Sequence, residues 1–283
     1  MNFKDITVGI VAFNSEKVIF DCLKSIKKIK KIIIFDNSND QKLKKKISLK
    51  YPKIKFILSK KNIGYGSGNN RIIDLCETKY LLILNPDTVL KKKCEDQLLK
   101  TLNKNTKNLS ILAPISNDNN YGYFNEFKKP DGKNNFKVDY VKGFAMLVDI
   151  KIIKIIGKFD ENFFLYLEEI DLCKRLAEKG YSVYVNKIAK VNHLAAKSSN
   201  LGFEFEKCRN WHWMWSRFYF YKKYNSYLAS LLKFFPELLF LSLKIIINLI
   251  FINKKKLLKN FFRISGLFNA MIGKSSWYRP KIN

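Results

Sequence analysis

Ile6-Thr-Val-Gly-Ile-Val-Ala12 is followed by a polar helical stretch, Glu16 to Lys28, then by Ile32-Ile-Ile-Phe35, a second polar stretch, and Ile54-Lys-Phe-Ile-Leu58. Short apolar runs separated by helix-length polar segments mark βαβ units, and hence an α/β fold with a mostly parallel sheet flanked by helices. The next apolar run, Tyr80 to Leu84, stops at Asn85-Pro86-Asp87. Proline has no N–H for a sheet ladder and closes the strand there. Asp87 therefore stands at the carboxyl end of a strand, as does Asp36 after Ile32 to Phe35. In open α/β sheets that edge is where ligands bind.

Further along, Ser116 to Asn135 is rich in Asn, Asp, Gly and Tyr and reads as a long loop. Tyr140 to Val148, carrying Gly143, is expected to be a strand, and Ile150 to Ile156 a short helix ended by Gly157. Glu169 to Lys179 has the spacing of an amphipathic helix stopped by Gly180. After about residue 202 the character changes, which divides the chain into a catalytic-type domain, 1–202, and a basic aromatic helical region, 203–283.

Lys and Arg total 53 against 24 for Asp and Glu, a formal charge of +29, so an anionic partner is expected. Runs such as Lys42 to Lys46 and Lys91 to Lys93 also read as solvated surface. In 203–283 the aromatics Trp211, Trp213, Trp215, Phe218, Tyr219, Phe220 and Tyr221 alternate with Arg217, Lys222 and Lys223, a mixture suited to a water–lipid interface. Phe234 to Ile252 meets the ~20-residue length for crossing a bilayer. It contains Pro236, Glu237 and Lys244, however, and a charge at mid-membrane costs roughly 2.5–3.5 kcal/mol. Helices lying in the interface are therefore expected, with an ordinary buried helix pair as the alternative. Five cysteines without CxxC or zinc-ligand spacing argue for reduced thiols, and no secretory signal is visible in Met1 to Val11. A nucleic-acid binder would account for the charge but not for the acidic cluster described next, and no nucleic-acid partner is expected.

Four clusters carry chemistry. Asn62-Ile-Gly64-Tyr-Gly66-Ser-Gly-Asn69-Asn70-Arg71 follows a strand; its glycines allow close backbone approach to a diphosphate, its amides and Arg71 can bond phosphate or ribose, and a flexible turn is an equal reading. Asn85 and Asp87, two residues apart, can reach one hard cation or a ribose, or simply form a turn. Asp160, Glu161, Glu168, Glu169 and Asp171 lie amid Phe163, Phe164, Leu165 and Tyr166. Burial and mutual repulsion there should raise at least one carboxyl pKa, as a general base requires; an acidic cap at a helix N-terminus is the alternative. His193 is either a metal ligand or a structural histidine.

In this order and at these intervals the motifs resemble the inverting family 2 glycosyltransferases, in the rhamnosyltransferase-like branch with a GT-A fold. The matching segments are Val8-Gly-Ile-Val-Ala-Phe13-Asn14, Asp36-Asn-Ser, Asn62 to Asn70, Asn85-Pro-Asp87, Gly143-Phe-Ala-Met-Leu, Glu168-Glu-Ile-Asp-Leu-Cys-Lys-Arg175 and His193. The resemblance covers roughly residues 5 to 200. It implies that Phe13, Asn14 and Asp36 serve the nucleoside, with Asp36 reading the base, and that Asn62 to Arg71 and Asn85 lie by the ribose and diphosphate. Asp87 and His193 would hold Mn²⁺ or Mg²⁺. Glu169 falls where the family has Asp as catalytic base, with Glu168 and Asp171 as substitutes, and Phe13 stands where Tyr is common. The resemblance further implies a nucleoside-diphosphate sugar donor, dTDP-rhamnose as the first choice. It also implies a saccharide or lipid-linked acceptor, a role in surface polysaccharide synthesis, and a peripheral position on an anionic membrane, at the cytoplasmic face. A catalytically silent sugar-nucleotide-binding subunit is the alternative that the Glu169 departure leaves open.

Overall fold

The four amino-terminal apolar runs are parallel neighbours in the computed structural model, which describes residues 1–104, 108–116, 134–194 and 202–279. Strands β1 (Ile6–Ala12), β2 (Lys31–Asp36), β3 (Lys55–Leu58) and β4 (Tyr80–Leu84) lie in the order β3-β2-β1-β4. Helices α1 (Glu16–Ser25), α2 (Gln41–Lys50) and α3 (Tyr65–Leu75) connect them. Val18, Ile19, Cys22 and Leu23 form the buried stripe of α1, the spacing that one apolar helix face requires. The Asp40 side chain accepts the Leu43 N–H at 2.9 Å and caps α2, a bond of the kind worth about 1 kcal/mol.

The second half adds β5 (Thr88–Leu90), α4 (Cys94–Leu102), β6 (Leu109–Ser116), β7 (Asn135–Val138), β8 (Ala145–Asp149), α5 (Ile150–Ile155), α6 (Glu168–Glu178) and β9 (Ser182–His193). The sheet continues from β4 as β8-β6-β9-β5, with β7 also beside β9. β8 pairs antiparallel with β4 in the register Leu84↔Ala145. The beginning of β8 is thereby fixed at the carboxyl edge of the parallel strands. One apolar cluster contains Val8, Ile10 and Ala12 and another contains Val11, Leu81 and Ile83. Both faces of the sheet are covered, which is why these strands read as continuous apolar runs rather than as an alternation.

Tyr140 to Val148 was expected to be one strand, but β8 begins only at Ala145 and Gly143-Phe144 form a turn. The Gly143 carbonyl is taken by the Tyr65 hydroxyl instead of a sheet ladder. The expected loop between Ser116 and Asn135 lies, apart from its ends, outside the described residues.

The chain divides into two units, Met1–Asp160 with Glu169–Ser199, and Glu161–Glu168 with Asn200–Asn283. The first holds the sheet. The second contains α7 (Gly202–Tyr224), α8 (Tyr227–Ile250) and α9 (Lys254–Met271). Its core is built from Trp211, Met214, Trp215 and Phe218 of α7 with Phe234, Leu241, Leu267 and Ala270. This corrects the interfacial reading of the α7 aromatics, most of which are packed inside the unit. Their polar tips are satisfied there: Trp211 Nε1 donates to Ser265 Oγ at 3.2 Å and Trp215 Nε1 to the Lys274 carbonyl at 2.9 Å. A Cβ on Gly266 of α9 would lie 2.1 Å from the Trp211 carbonyl oxygen, so only glycine allows the two helices to approach this closely. Pro236 lies inside α8 and does not end it. Among the described residues no helix is long and apolar enough to cross a membrane.

His212, fully buried, donates from Nε2 to the Tyr278 carbonyl at 2.7 Å, while Nδ1 has no hydrogen-bond partner among the described residues. Burial above all, with Arg279 adding to it, lowers its pKa from 6.5 to about 3. The unfolded chain therefore binds a proton that the folded unit refuses, and stability is lost as pH falls from 6.5 towards 3, by at most about 1.4 kcal/mol per pH unit. All four tryptophans, Trp211, Trp213, Trp215 and Trp277, belong to this unit, so tryptophan fluorescence reports its unfolding. Denaturant midpoints read this way should fall over that pH window in the native protein and stay nearly flat in His212→Gln. A parallel decline in both proteins would show that His212 is not responsible.

Candidate active site

At the carboxyl edge of the parallel strands, Asp36 is fully buried and both its oxygens are engaged. Oδ1 accepts from Ser38 Oγ at 2.6 Å and Oδ2 from the Asp40 N–H at 2.7 Å. Burial raises its pKa, and these hydrogen bonds oppose the rise. These bonds shape the turn after β2. Asn37 then ties that turn to the glycine-rich segment: its Nδ2 donates to the Gly64 carbonyl at 3.0 Å and its Oδ1 accepts the Ile63 N–H at 3.1 Å. Asn14, at φ 48°, donates its N–H to Ser38 Oγ at 3.1 Å, and the Phe13 N–H goes to Ser15 Oγ at 3.0 Å.

Asn62 Oδ1 accepts the Gly64 N–H at 3.0 Å, and Gly64, at φ 90°, begins α3 in a conformation that favours glycine. Gly66, Asn69 and Asn70 are buried in the first turns of α3. Asn69 Nδ2 donates to the Tyr65 carbonyl at 3.1 Å, and its buried Oδ1 has no hydrogen-bond partner among the described residues. Asn70 is committed elsewhere: Nδ2 donates to the Phe159 carbonyl at 2.9 Å and Oδ1 accepts the Phe159 N–H at 3.0 Å. Arg71 lies exposed on the opposite face of α3.

The turn after β4 places Asn85 half-buried and Asp87 almost fully buried. The Asn85 N–H and the Thr88 hydroxyl both donate to the Phe144 carbonyl, at 2.9 and 3.2 Å. β5 pairs with the end of β9 in the register Thr88↔His193. That pairing brings His193 Nε2 to 3.3 Å from Asp87 Oδ1, and the Phe144 ring stacks on the imidazole at 4.5 Å. Carboxylate and imidazole are suitable donors for Mn²⁺ and, less strictly, Mg²⁺. Among the described residues no group of three or more His, Cys, Asp or Glu is arranged to hold an ion. The Asp87–His193 pair would fit a sparse site, in which phosphate oxygens and water would be the remaining ligands.

Of the acids in the 160–171 cluster, Asp171 is fully buried in an ion pair with Arg175 Nε at 2.8 Å. Arg175 also donates to the carbonyls of Ile156 and Lys158 at 2.8 and 2.7 Å, binding the end of α5. Glu168 is buried and belongs to the second unit. Glu169, half-buried at the start of α6, has its pKa raised by burial. Its own N–H, those of Gly143 and Ile170, and the Lys142 charge oppose that rise. Burial in turn lowers the Lys142 pKa, against the pull of Glu169.

Lys142, Gly143 and Phe144 thus join what the sequence shows as separate clusters. The Gly143 carbonyl takes the Tyr65 hydroxyl of the glycine-rich segment, and its N–H is bonded to Glu169. Phe144 receives the Asn85–Thr88 turn on its carbonyl and His193 on its ring. Sequence reasoning singled out neither Lys142, Tyr65 nor Asn37 as site residues. Asn37 and Tyr65 lie inside quoted motifs and Lys142 directly precedes one, which is the signal the sequence offers for them. All five cysteines are buried and free; burial raises the thiols of Cys94, Cys173 and Cys208 to about 12, leaving them protonated.

A Cβ at Gly143 would meet the Tyr65 hydroxyl at 3.1 Å and its ring at 3.2 Å. Gly143→Ala is therefore expected to displace Tyr65 at a cost of about 1–3 kcal/mol in stability. Turnover should fall at least tenfold or so, because the displaced turn positions reacting groups. Tyr65→Phe, which keeps the ring and loses the hydroxyl, should show a smaller loss of both. Melting curves and product release measured on the same samples check this, and unchanged turnover in both variants would contradict it.

The profile described as Glycosyl transferase family 2 matches residues 7–156, that is 150 of the 283 residues. The low-salt glycan biosynthesis hexosyltransferase Agl10 of Haloferax volcanii is 29% identical over 199 residues, 63% of this chain and 64% of that protein. Rhamnosyltransferase WbbL of Escherichia coli is 29% identical over 212 residues, 64% of this chain and 78% of its own length. The chain thus spans just under two thirds of the first of these relatives. The mannosyltransferase PcManGT of Pyrobaculum calidifontis, solved with GDP-Man and Mn²⁺, superposes with a TM-score of 0.59 at 11% identity, over 94% of this chain and 87% of that one. At that identity the likeness concerns the fold, which is the mixed, mostly parallel GT-A-like arrangement. With the ordered motifs, the edge-on site and the profile match in agreement, this chain belongs to glycosyl transferase family 2.

Proposed function

We propose that the protein transfers a sugar from a nucleoside diphosphate to a hydroxyl of a saccharide or lipid-linked acceptor, with Glu169 as general base. The observation that carries this reading is the Lys142–Phe144 turn. It bonds a carboxylate of raised pKa on one side and stacks on the His193–Asp87 pair on the other, while its Gly143 carbonyl is tied to Tyr65. A divalent cation held by Asp87 and His193, Mn²⁺ or Mg²⁺, would supply positive charge against the diphosphate. The acceptor hydroxyl gives its proton to Glu169 as its oxygen attacks the anomeric carbon, and the bond from that carbon to the diphosphate oxygen breaks. A single in-line displacement inverts the sugar centre. The Lys142 charge favours the ionised form of Glu169 against its burial, and in this reading the segment from Asn62 to Asn69 receives the diphosphate and ribose.

For the donor, dTDP-rhamnose is the first choice, supported by the resemblance to rhamnosyltransferases. GDP- and UDP-sugars are the alternatives in the same assay. Peripheral attachment to an anionic membrane, at its cytoplasmic face, is supported by the charge of +29 and by the exposed apolar face of α8.

Released nucleoside diphosphate, measured with a panel of dTDP-, UDP- and GDP-sugars and Mn²⁺, tests the reading. Glu169→Gln should lower turnover by about 10²–10⁴-fold while nucleotide binding survives. Asp87→Ala should abolish the response to added metal. Nucleotide binding without any turnover in the native protein would instead identify a silent binding subunit.

The pH profile gives a second check. Because burial raises the Glu169 pKa, the acid limb of kcat/KM should lie above the ordinary glutamate value of 4.5. Lys142→Met removes a charge that lowers that pKa, so the limb should move to still higher pH. A limb that stays in place in Lys142→Met would detach Lys142 from the base.

A further inference from the structure

Within the second unit, a cavity of about 650 Å³ is lined by Arg209, Lys255, Lys256, Lys259 and Arg263, with Glu206 the single carboxylate. Five cations against one anion concentrate like charge in one space, and the arrangement is costly unless something anionic enters it. Among the described residues Lys255, Lys256 and Lys259 have no ion-pair partner. All three stand in the first two turns of α9, where cations oppose the helix dipole. Arg263, whose Nε donates to Asn210 Oδ1 at 2.9 Å, faces the same space. Arg209 Nε donates to the Tyr166 hydroxyl at 2.6 Å, and Trp213 packs edge-on against the Tyr166 ring at 5.5 Å. Tyr166 and Leu167 both hold positive φ, 73° and 71°. A bulky pair in that region carries backbone strain of the kind kept at ligand-binding walls.

In the same unit, α8 carries an apolar face that no other described residue covers. Leu228, Leu232, Phe235, Leu239, Leu243 and Ile246 recur every three or four residues and are each more than half exposed, whereas Ser230, Phe234 and Leu241 face inward. The stripe runs on through Ile250 to Phe251 and Ile252, which are 77% and 78% exposed. Ile252 is three residues from Lys255, a chain distance of at most about 11 Å. Apolar surface that ends within that chain distance of a basic cavity is complementary to an amphiphile with hydrocarbon at one end and phosphate at the other.

We propose that the second unit binds a lipid-borne diphosphate, with the phosphates in the Lys255–Lys256–Lys259 cavity and the hydrocarbon against the exposed face of α8. The function assigned to it, presenting a lipid-linked acceptor, rests on the transferase reading above; the binding itself does not. Flotation of the full-length protein on three kinds of vesicle tests it: phosphatidylcholine alone, phosphatidylcholine with phosphatidylglycerol, and phosphatidylcholine with undecaprenyl diphosphate at matched charge. The diphosphate vesicles should capture protein at concentrations at least about tenfold lower than the phosphatidylglycerol vesicles. Inorganic pyrophosphate should compete, and Lys255→Gln/Lys256→Gln/Lys259→Gln should erase the preference without changing the thermal midpoint. Leu239→Ser/Leu243→Ser should weaken capture on the diphosphate vesicles while leaving pyrophosphate binding in solution intact.

Equal capture on both anionic vesicles, unaltered in the triple variant, would overturn the proposal. So would lysine-dependent binding of free pyrophosphate with no gain on the diphosphate vesicles, which would make this a site for a soluble anion. Donor binding and turnover, measured on the same preparation, report the first unit independently, so a failed transferase reading and a failed lipid site give different results.

Discussion

The antiparallel pairing of β8 with β4, in the register Leu84↔Ala145, sets the position of nearly everything else in the first unit. Parallel strands all end at one edge, so the loops after β1, β2, β3 and β4 collect there. A strand inserted in the opposite sense must begin at that same edge, and its lead-in residues are forced among those loops. Lys142, Gly143 and Phe144 occupy that lead-in. The contacts to Tyr65, Asn85, Thr88, Glu169 and His193 follow from where the strand starts rather than from any special property of the three residues. Gly143 is the exception, because a Cβ there would crowd the Tyr65 hydroxyl at 3.1 Å.

Local pattern made much of the fold legible. β1 and β4 fall on the residues where continuous apolar runs predict them, and α6 ends before Gly180 as the spacing requires. These are features set by neighbours in sequence. What was not legible depends on partners distant in the chain. Tyr140 to Phe144 has strand composition, yet its backbone bonds outside the sheet, and nothing local announces that Tyr65 will claim the Gly143 carbonyl. Asn37 and Lys142 escaped notice for the same reason, since an amide or a lysine becomes informative only when its partner is known. The aromatic run in α7 misled in the opposite direction. Trp, Tyr and Phe mixed with cations suit a lipid interface or a small helical core equally well, and only burial separates the two.

In the second unit the division of labour between helices is physical. α7 places most of its aromatics in the core, while its Arg217 donates to Glu237 of α8 at 2.6 Å and its Arg209 lines the basic cavity. α8 has apolar residues on more than one face, and only part of them can be buried against two partners. The remainder is exposed, and lysines within it lie along rings, Lys233 at 4.3 Å from the Tyr221 centroid and Lys244 at 4.1 Å from that of Phe240. Long cationic side chains that fold over aromatic surface keep their charge in water while covering apolar area. Such a surface is consistent with a helix that lies along an interface, without any requirement to cross it.

On the proposed reading, the choice of base among three clustered acids turns on what each carboxylate is already doing. Asp171 is held by Arg175, which itself ties down the end of α5, so taking a proton there would release a buried arginine and loosen the scaffold. Glu168 is buried and belongs to the second unit. Glu169 is subject to opposed influences: burial favours its protonated form, while three backbone N–H groups and Lys142 favour the charged one. A general base needs that balance, because a carboxylate stabilised too well will not accept a proton and one stabilised too little is already protonated. Glutamate in place of aspartate adds one methylene, about 1.5 Å of reach. With that length the carboxylate folds back onto the N–H groups at the start of its own helix; on the proposed reading, the bonds that favour its charged form are the ones it loosens as the hydroxyl proton arrives.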